Sequence, residues 1–191
     1  MGYYDSTGRF RATKKAYVPV DLQHLAAGTA LAAFADGAST TPGLALDDSE
    51  ASGVRWNNHA TPAAAWGRIA LPNDRQPNTP MVVHVVASKT GATVGDATTF
   101  TIAAFFHPVG ALRDADANAG GASSAMTGNA TSKTVQRVTR TIAATDIPNK
   151  SATDPCPALS LSVKPTDGTL GTDDVTIHQI LIEYTAEETA E

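Results

Sequence analysis

Apolar and polar residues alternate with a period of two along several short stretches of the chain, and that alternation predicts β-strands rather than helices. Residues 159–163 (LSLSV) are the cleanest case, with Leu159, Leu161 and Val163 turned one way and two serines the other. Residues 98–107 (TTFTIAAFFH) carry Phe100, Ile102 and Phe105, with Thr99 and Thr101 on the opposite face at the start. Residues 81–88 (MVVHVVAS) are a nearly continuous β-branched run, which predicts a strand covered on both faces. Residues 134–143 (TVQRVTRTIA) put Val135 and Val138 off strict alternation, and the slip predicts a bulge. Residues 175–184 (VTIHQILIEY) read as the last strand, with Val175, Ile177 and Leu181 on one face and Ile180, Ile182 and Tyr184 on the other. One such face can fill a sandwich; the second needs a cover, either a symmetry-related copy or another segment of the same chain.

Shorter candidates lie at 53–57 (GVRWN) and 65–71 (AWGRIAL). Segment 9–20 (RFRATKKAYVPV) reads as an edge strand or an extended arm, because Pro19 cannot donate to a ladder. Residues 24–35 look briefly helical until Gly28 and Thr29 interrupt the pattern, and 36–53 read as loop. Residues 108–133 form a long connection without apolar periodicity; such a loop, or the N-terminal arm, is expected to contact another chain. Two Gly- and Thr-rich turns, 89–96 and 166–173, both end in Asp. Eight strands punctuated by turns predict an all-β, antiparallel β-sandwich, an eight-stranded jelly roll built of two Greek keys. Residues 1–20 would be its N-terminal arm or edge strand and 21–191 its body. An immunoglobulin-like sandwich fits the strand number almost as well.

Composition agrees. The chain has 191 residues, enough for one domain with a real core. It holds 34 Ala and 25 Thr but only 17% charged residues, whereas helical surfaces usually carry Glu and Lys. No apolar run approaches the roughly 20 residues of a spanning helix, so no membrane partner is expected. The opening Met-Gly-Tyr-Tyr-Asp lacks the basic-then-apolar pattern of a signal peptide. Cys156 is the single cysteine, which excludes an internal disulfide framework and a thiolate-cage zinc site. Charge is uneven: residues 1–20 sum to +3 through Arg9, Arg11, Lys14 and Lys15 against Asp5, and the remainder to −8. An acidic body repels phosphate backbones, so no direct nucleic-acid contact is expected, while the basic opening could dock on an acidic protein surface.

Chemistry-bearing patterns fail one after another. Asp114, Asp116 and Asn118 begin like a calcium loop, but Ala119 and Ala125 stand where glycine and the bidentate glutamate belong. No two of the five histidines have zinc-ligand spacing, and His84 and His178 each sit inside a strong strand. There is no G-x-S-x-G elbow, and GATVGD at 91–96 lacks the Gly-Lys ending of a phosphate cradle. No catalytic residue, metal or cofactor is therefore expected. Trp56, Asn57 and His59 put a ring beside an amide and an imidazole, which could recognise a glycan; an equally good reading packs Trp56 and Trp66 under the loop between their two strands.

The strings WNNHATP (56–62), PMVVHVVASKTGATVGDATTFTIAAFF (80–106) and DGTLGTDDVTIHQILIEYT (167–185) resemble β-sandwich virion proteins of tailed bacteriophages, in particular the head decoration or cement proteins of the capsid exterior. The resemblance implies a homotrimer that clamps the major capsid protein from outside the phage head, with no catalytic residues and no cofactor. Under that reading the chain is made in the host cytoplasm and ends in the virion. Arg9, Arg11, Lys14 and Lys15 would dock on the capsid, and His178, Ile180, Ile182 and Tyr184 would meet the neighbouring copies. The alternative is a lectin-like module of a phage tail or fibre that grips glycan through Trp56, Asn57 and His59.

Overall fold

The computed structural model describes residues 2–4, 8, 10–23, 43–47, 51–56, 62, 64–91, 97–110, 121–127, 134–149, 157–166 and 173–188. In chain order the strands are β1 (Gly2–Tyr4), β2 (Phe10–Pro19), β3 (Leu22–Gln23), β4 (Gly43–Asp47), β5 (Ala51–Trp56), β6 (Ala65–Ala70) and β7 (Met81–Lys89). They continue with β8 (Ala97–Thr98), β9 (Phe100–His107), β10 (Gly121–Ala122), β11 (Met126–Thr127), β12 (Gln136–Ile142), β13 (Ala158–Pro165) and β14 (Val175–Glu188). Among the described residues there is no α-helix, only a 3-10 turn at Ala144–Asp146. The helical reading of 24–35 falls outside the described residues.

All named pairings are antiparallel, and the two main sheets share one apolar interior. In the first sheet β2, β14, β7 and β12 are successive neighbours; in the second the order is β6, β13, β9, β10. If β2, β6, β7, β9, β10, β12, β13 and β14 are counted off in chain order, the sheets read 1-8-3-6 and 2-7-4-5. That is the strand order of a jelly roll, as the periodicity predicted. Its eighth strand, however, is not the 53–57 segment. The fifth position belongs to two-residue β10, inside the stretch read as a structureless connection, while β5 joins β4 in an added hairpin beside β14. The loop reading of 36–53 is corrected at 43–47 and 51–53, which are strand; the rest of that range lies outside the described residues.

β14 organises the first sheet. One of its edges carries β5 along Val175–Ile177 and then β2 along Leu181–Glu188; the other carries β7. Between Ile177 and Gln179 the register against β7 shifts, so His178 is an extra, bulged residue. A bulge resets the alternation by one. Val175 and Ile177 before it and Ile180, Ile182, Tyr184 and Ala186 after it therefore all face the interior, and Ile182 is 0% exposed. The expected bulge in residues 134–143 is absent: β12 pairs β7 without a shift, Val138 is buried and Val135 lies exposed ahead of the strand.

Phe100, Ile102, Ala104 and Phe106 of β9 and Leu159, Leu161 and Val163 of β13 fill the interior from the second sheet. Met126 is buried without any periodic pattern around it. At the corner where β2 leaves the first sheet and β3 enters the second, Val20 and Asp21 press on Gly67 of β6; a methyl there would fall on the Val20 side chain and 2.9 Å from the Asp21 carbonyl. Residues 10–19 are thus a strand of the sheet over their whole length. Val20 N–H donates to the Ile180 carbonyl at 3.0 Å, so neighbouring Pro19 turns its missing donor toward the open side, as expected of an edge.

Candidate docking surface

β1 and β2 form the hairpin at one margin of the first sheet. Their ladder ends at Gly2 opposite Ala12, so from Thr13 to Pro19 β2 meets no second strand among the described residues. Alternation along β2 turns Ala16, Val18 and Val20 toward the interior and Lys15, Tyr17 and Pro19 outward. Tyr17 is 51% exposed and Tyr4 of β1 is 73% exposed; they are two of the four large apolar or aromatic side chains that stand out among the described residues. Lys14 is exposed as well.

Behind Tyr17 lies a charged cluster on the outward face of the sheet. Glu183 of β14 pairs directly with Tyr17 of β2 and with Val82 of β7, which places its carboxylate between the two strands. Lys15 Nζ donates to Oε1, the Tyr17 hydroxyl reaches Oε2 at 3.4 Å, and His84 Nε2 lies 2.9 Å from Oε2. The hydrogen bond from Lys15 holds the Glu183 carboxyl below its ordinary value; partial burial pulls the other way, and His84 adds to the lowering. The Tyr17 and His84 rings are 6.0 Å apart, inclined at 54°. A carboxylate kept ionised by two donors is an acceptor and an anchor for the hairpin.

The other expected sites are distributed differently. Arg9 lies outside the described residues, and of Arg11 only the backbone, in β2, is described. Lys15 is committed to Glu183. Ile180, Ile182 and Tyr184 are buried inside their own protomer because of the bulge, so they are not the surface that a neighbouring copy would meet. His178 is half-buried, 2.8 Å from Ser88 Oγ through Nε2. It borders a cleft of about 340 Å³ with Asp21, Leu22 and Gln179, at the gap between the ends of β2 and β5. Trp56 is buried opposite Val175, because β5 turns Val54 and Trp56 inward together, and cannot offer its ring to a sugar. Asn57 and His59 lie outside the described residues, as do Asp114, Asp116 and Asn118.

Tyr4, Tyr17 and Glu183 were not singled out from the sequence, whereas His84 was, as a histidine within a strong strand. The available signal was Glu183 itself, a lone acid in the apolar run ILIEY, which needs donors nearby.

No family model matches the chain, and no curated protein does. Among solved structures it is similar to the CBM22-1 and GH10 modules of the N-terminal endo-1,4-β-D-xylanase 10B of Clostridium thermocellum, solved with xylohexaose; identity is 10%, the TM-score 0.44, and the match covers 81% of this chain and 26% of that one. It is also similar to the enzymatically active domain of tailspike protein 4 of bacteriophage CBA120, at 12% identity and a TM-score of 0.34, covering 92% of this chain and 19% of that one. The chain thus spans about a quarter and a fifth of those two chains. At these scores the likeness carries no argument about what it does.

Proposed function

We propose that this chain is a non-enzymatic virion structural protein, a decoration protein that docks on the major capsid protein of a phage head through its β1–β2 hairpin. The observation that supports this most is that Tyr4, Tyr17 and Lys14 all stand exposed along one hairpin, beside a strand edge left open among the described residues, on an otherwise acidic jelly roll. Tyrosines bring large contact area at small conformational cost, and a basic margin is steered toward an acidic shell. Glu183, through Lys15 and His84, ties the hairpin to β14 and β7, so docking strain reaches the centre of the sheet. Assembly as a homotrimer, implied by the resemblance, turns three modest contacts into a lasting one.

The test is co-sedimentation of the purified chain with heads of the phage that encodes it. Charge reversal at Arg9, Arg11, Lys14 and Lys15 together is expected to lower occupancy by about tenfold or more, since the loss at each hairpin multiplies across a multivalent assembly. Unchanged occupancy, with the variant folded, overturns the docking role.

A further inference from the structure

Lys89 ends β7, and Asp173 stands two residues ahead of β14; their side chains are only 2% and 8% exposed. Lys89 is opposite Val175, which is opposite Trp56, and all three are buried at this end of the sandwich. Lys89 Nζ lies 3.0 Å from Asp173 Oδ2 without the alignment of a hydrogen bond, and Oδ2 is a buried oxygen with no hydrogen-bond donor. The carboxylate has little freedom to turn away: it packs on Gly91, where a methyl would fall directly on it. Holding two opposite charges away from water is costly, and an amide between the same two side chains carries no charge to bury. An amine and a carboxyl group held side by side, with little room to part, are placed so that proximity favours their condensation.

We propose that Lys89 and Asp173 condense into an intrachain isopeptide bond that staples β7 to the segment entering β14. A proton passes from the Nζ ammonium to Oδ2, the free amine attacks Cγ, and the Cγ–Oδ2 bond breaks. Oδ2 departs as water with two of the Nζ hydrogens, the third stays on the new amide nitrogen, and the two charges cancel. No oxidant, metal or further reactant enters. A chain with one cysteine has no internal disulfide to join its strands, and this bond would lock the pair at the centre of the first sheet. The inference is independent of where the protein docks.

Intact-mass spectrometry of the folded, full-length chain tests it. The expected mass is about 18 Da below that of the sequence, one water, and trypsin should release a branched peptide joining the Lys89 and Asp173 segments. Full sequence mass means an ion pair only and overturns the proposal. So does water loss without the branched peptide, which is cyclisation at Asp36-Gly37 or Asp167-Gly168 instead. Asp173→Asn should give the same branched peptide with loss of ammonia, about 17 Da, while Lys89→Met should run at full mass. Should either variant fail to fold, the peptide map of the unsubstituted chain decides alone.

Discussion

Replacing Ile182 by alanine separates the inward-facing last strand from an outward, partner-facing one. Ile182 is 0% exposed and sits on the interior face of β14, between Val18 of β2 and Val83 of β7. The substitution removes three carbons. At about 0.8 kcal/mol each, the transfer loss is roughly 2.4 kcal/mol. A cavity in a site walled by two sheets relaxes only in part and brings the total to about 3 to 4 kcal/mol. For a chain of this length that corresponds to a fall in Tm of roughly 6 to 16 °C. Leu181, the next residue, faces outward and is half-buried, so Leu181→Ala should cost only about 1 kcal/mol. Urea unfolding followed by circular dichroism, at two protein concentrations, provides the assay. An Ile182→Ala midpoint within about 0.5 kcal/mol of the parent, combined with loss of an oligomer, would refute the inward placement and with it the bulge at His178.

Three further outcomes follow from named contacts. Burial, with a hydrogen bond and charge from Asp74, pushes the Tyr184 hydroxyl up to about 12, so its contribution to stability is complete below the ordinary value of 10.0 and is lost as pH rises from there through about 12. Phenolate absorbance should show a late-titrating tyrosine that disappears in Tyr184→Phe; a late phase missing from the parent, or surviving the substitution, would contradict the burial. Glu183, held below its ordinary value chiefly by Lys15, contributes stability that is present above the ordinary carboxylate range and lost as pH falls through its own lowered value. Glu183→Gln should therefore weaken the protein at neutral pH and match it in strong acid, as read by thermal melts; an equal deficit at every pH would show that charge is not the cause. Gly67→Ala should destabilise by roughly 1 to 3 kcal/mol because its methyl falls on Val20 and the Asp21 carbonyl, and an unchanged denaturant midpoint would mean that this corner lies elsewhere.

The central strands were legible because their burial follows simple alternation: Leu159, Leu161 and Val163 in β13, Phe100 and Ile102 in β9. β14 was legible as a strand but not in its facing, since a bulge leaves no mark on composition and moves Ile180, Ile182 and Tyr184 from one side to the other. β10 is two residues long and Met126 has no periodic neighbours, so no pattern could announce them. Trp56 beside two asparagines reads as a sugar platform, yet the same alternation that buries Val54 buries it. The hairpin proposed for docking was half legible: the basic residues of 9–15 are visible in sequence, while the pairing of Lys15 and His84 with Glu183 joins residues far apart in the chain.

The most direct measurement of the central claim is a cryo-electron microscopy reconstruction of the intact particle encoded by the same genome. The account predicts jelly-roll density on the outside of the head, with the β1–β2 hairpin turned toward the shell. Density for this chain at the tail tip, or none on the particle at all, would contradict it.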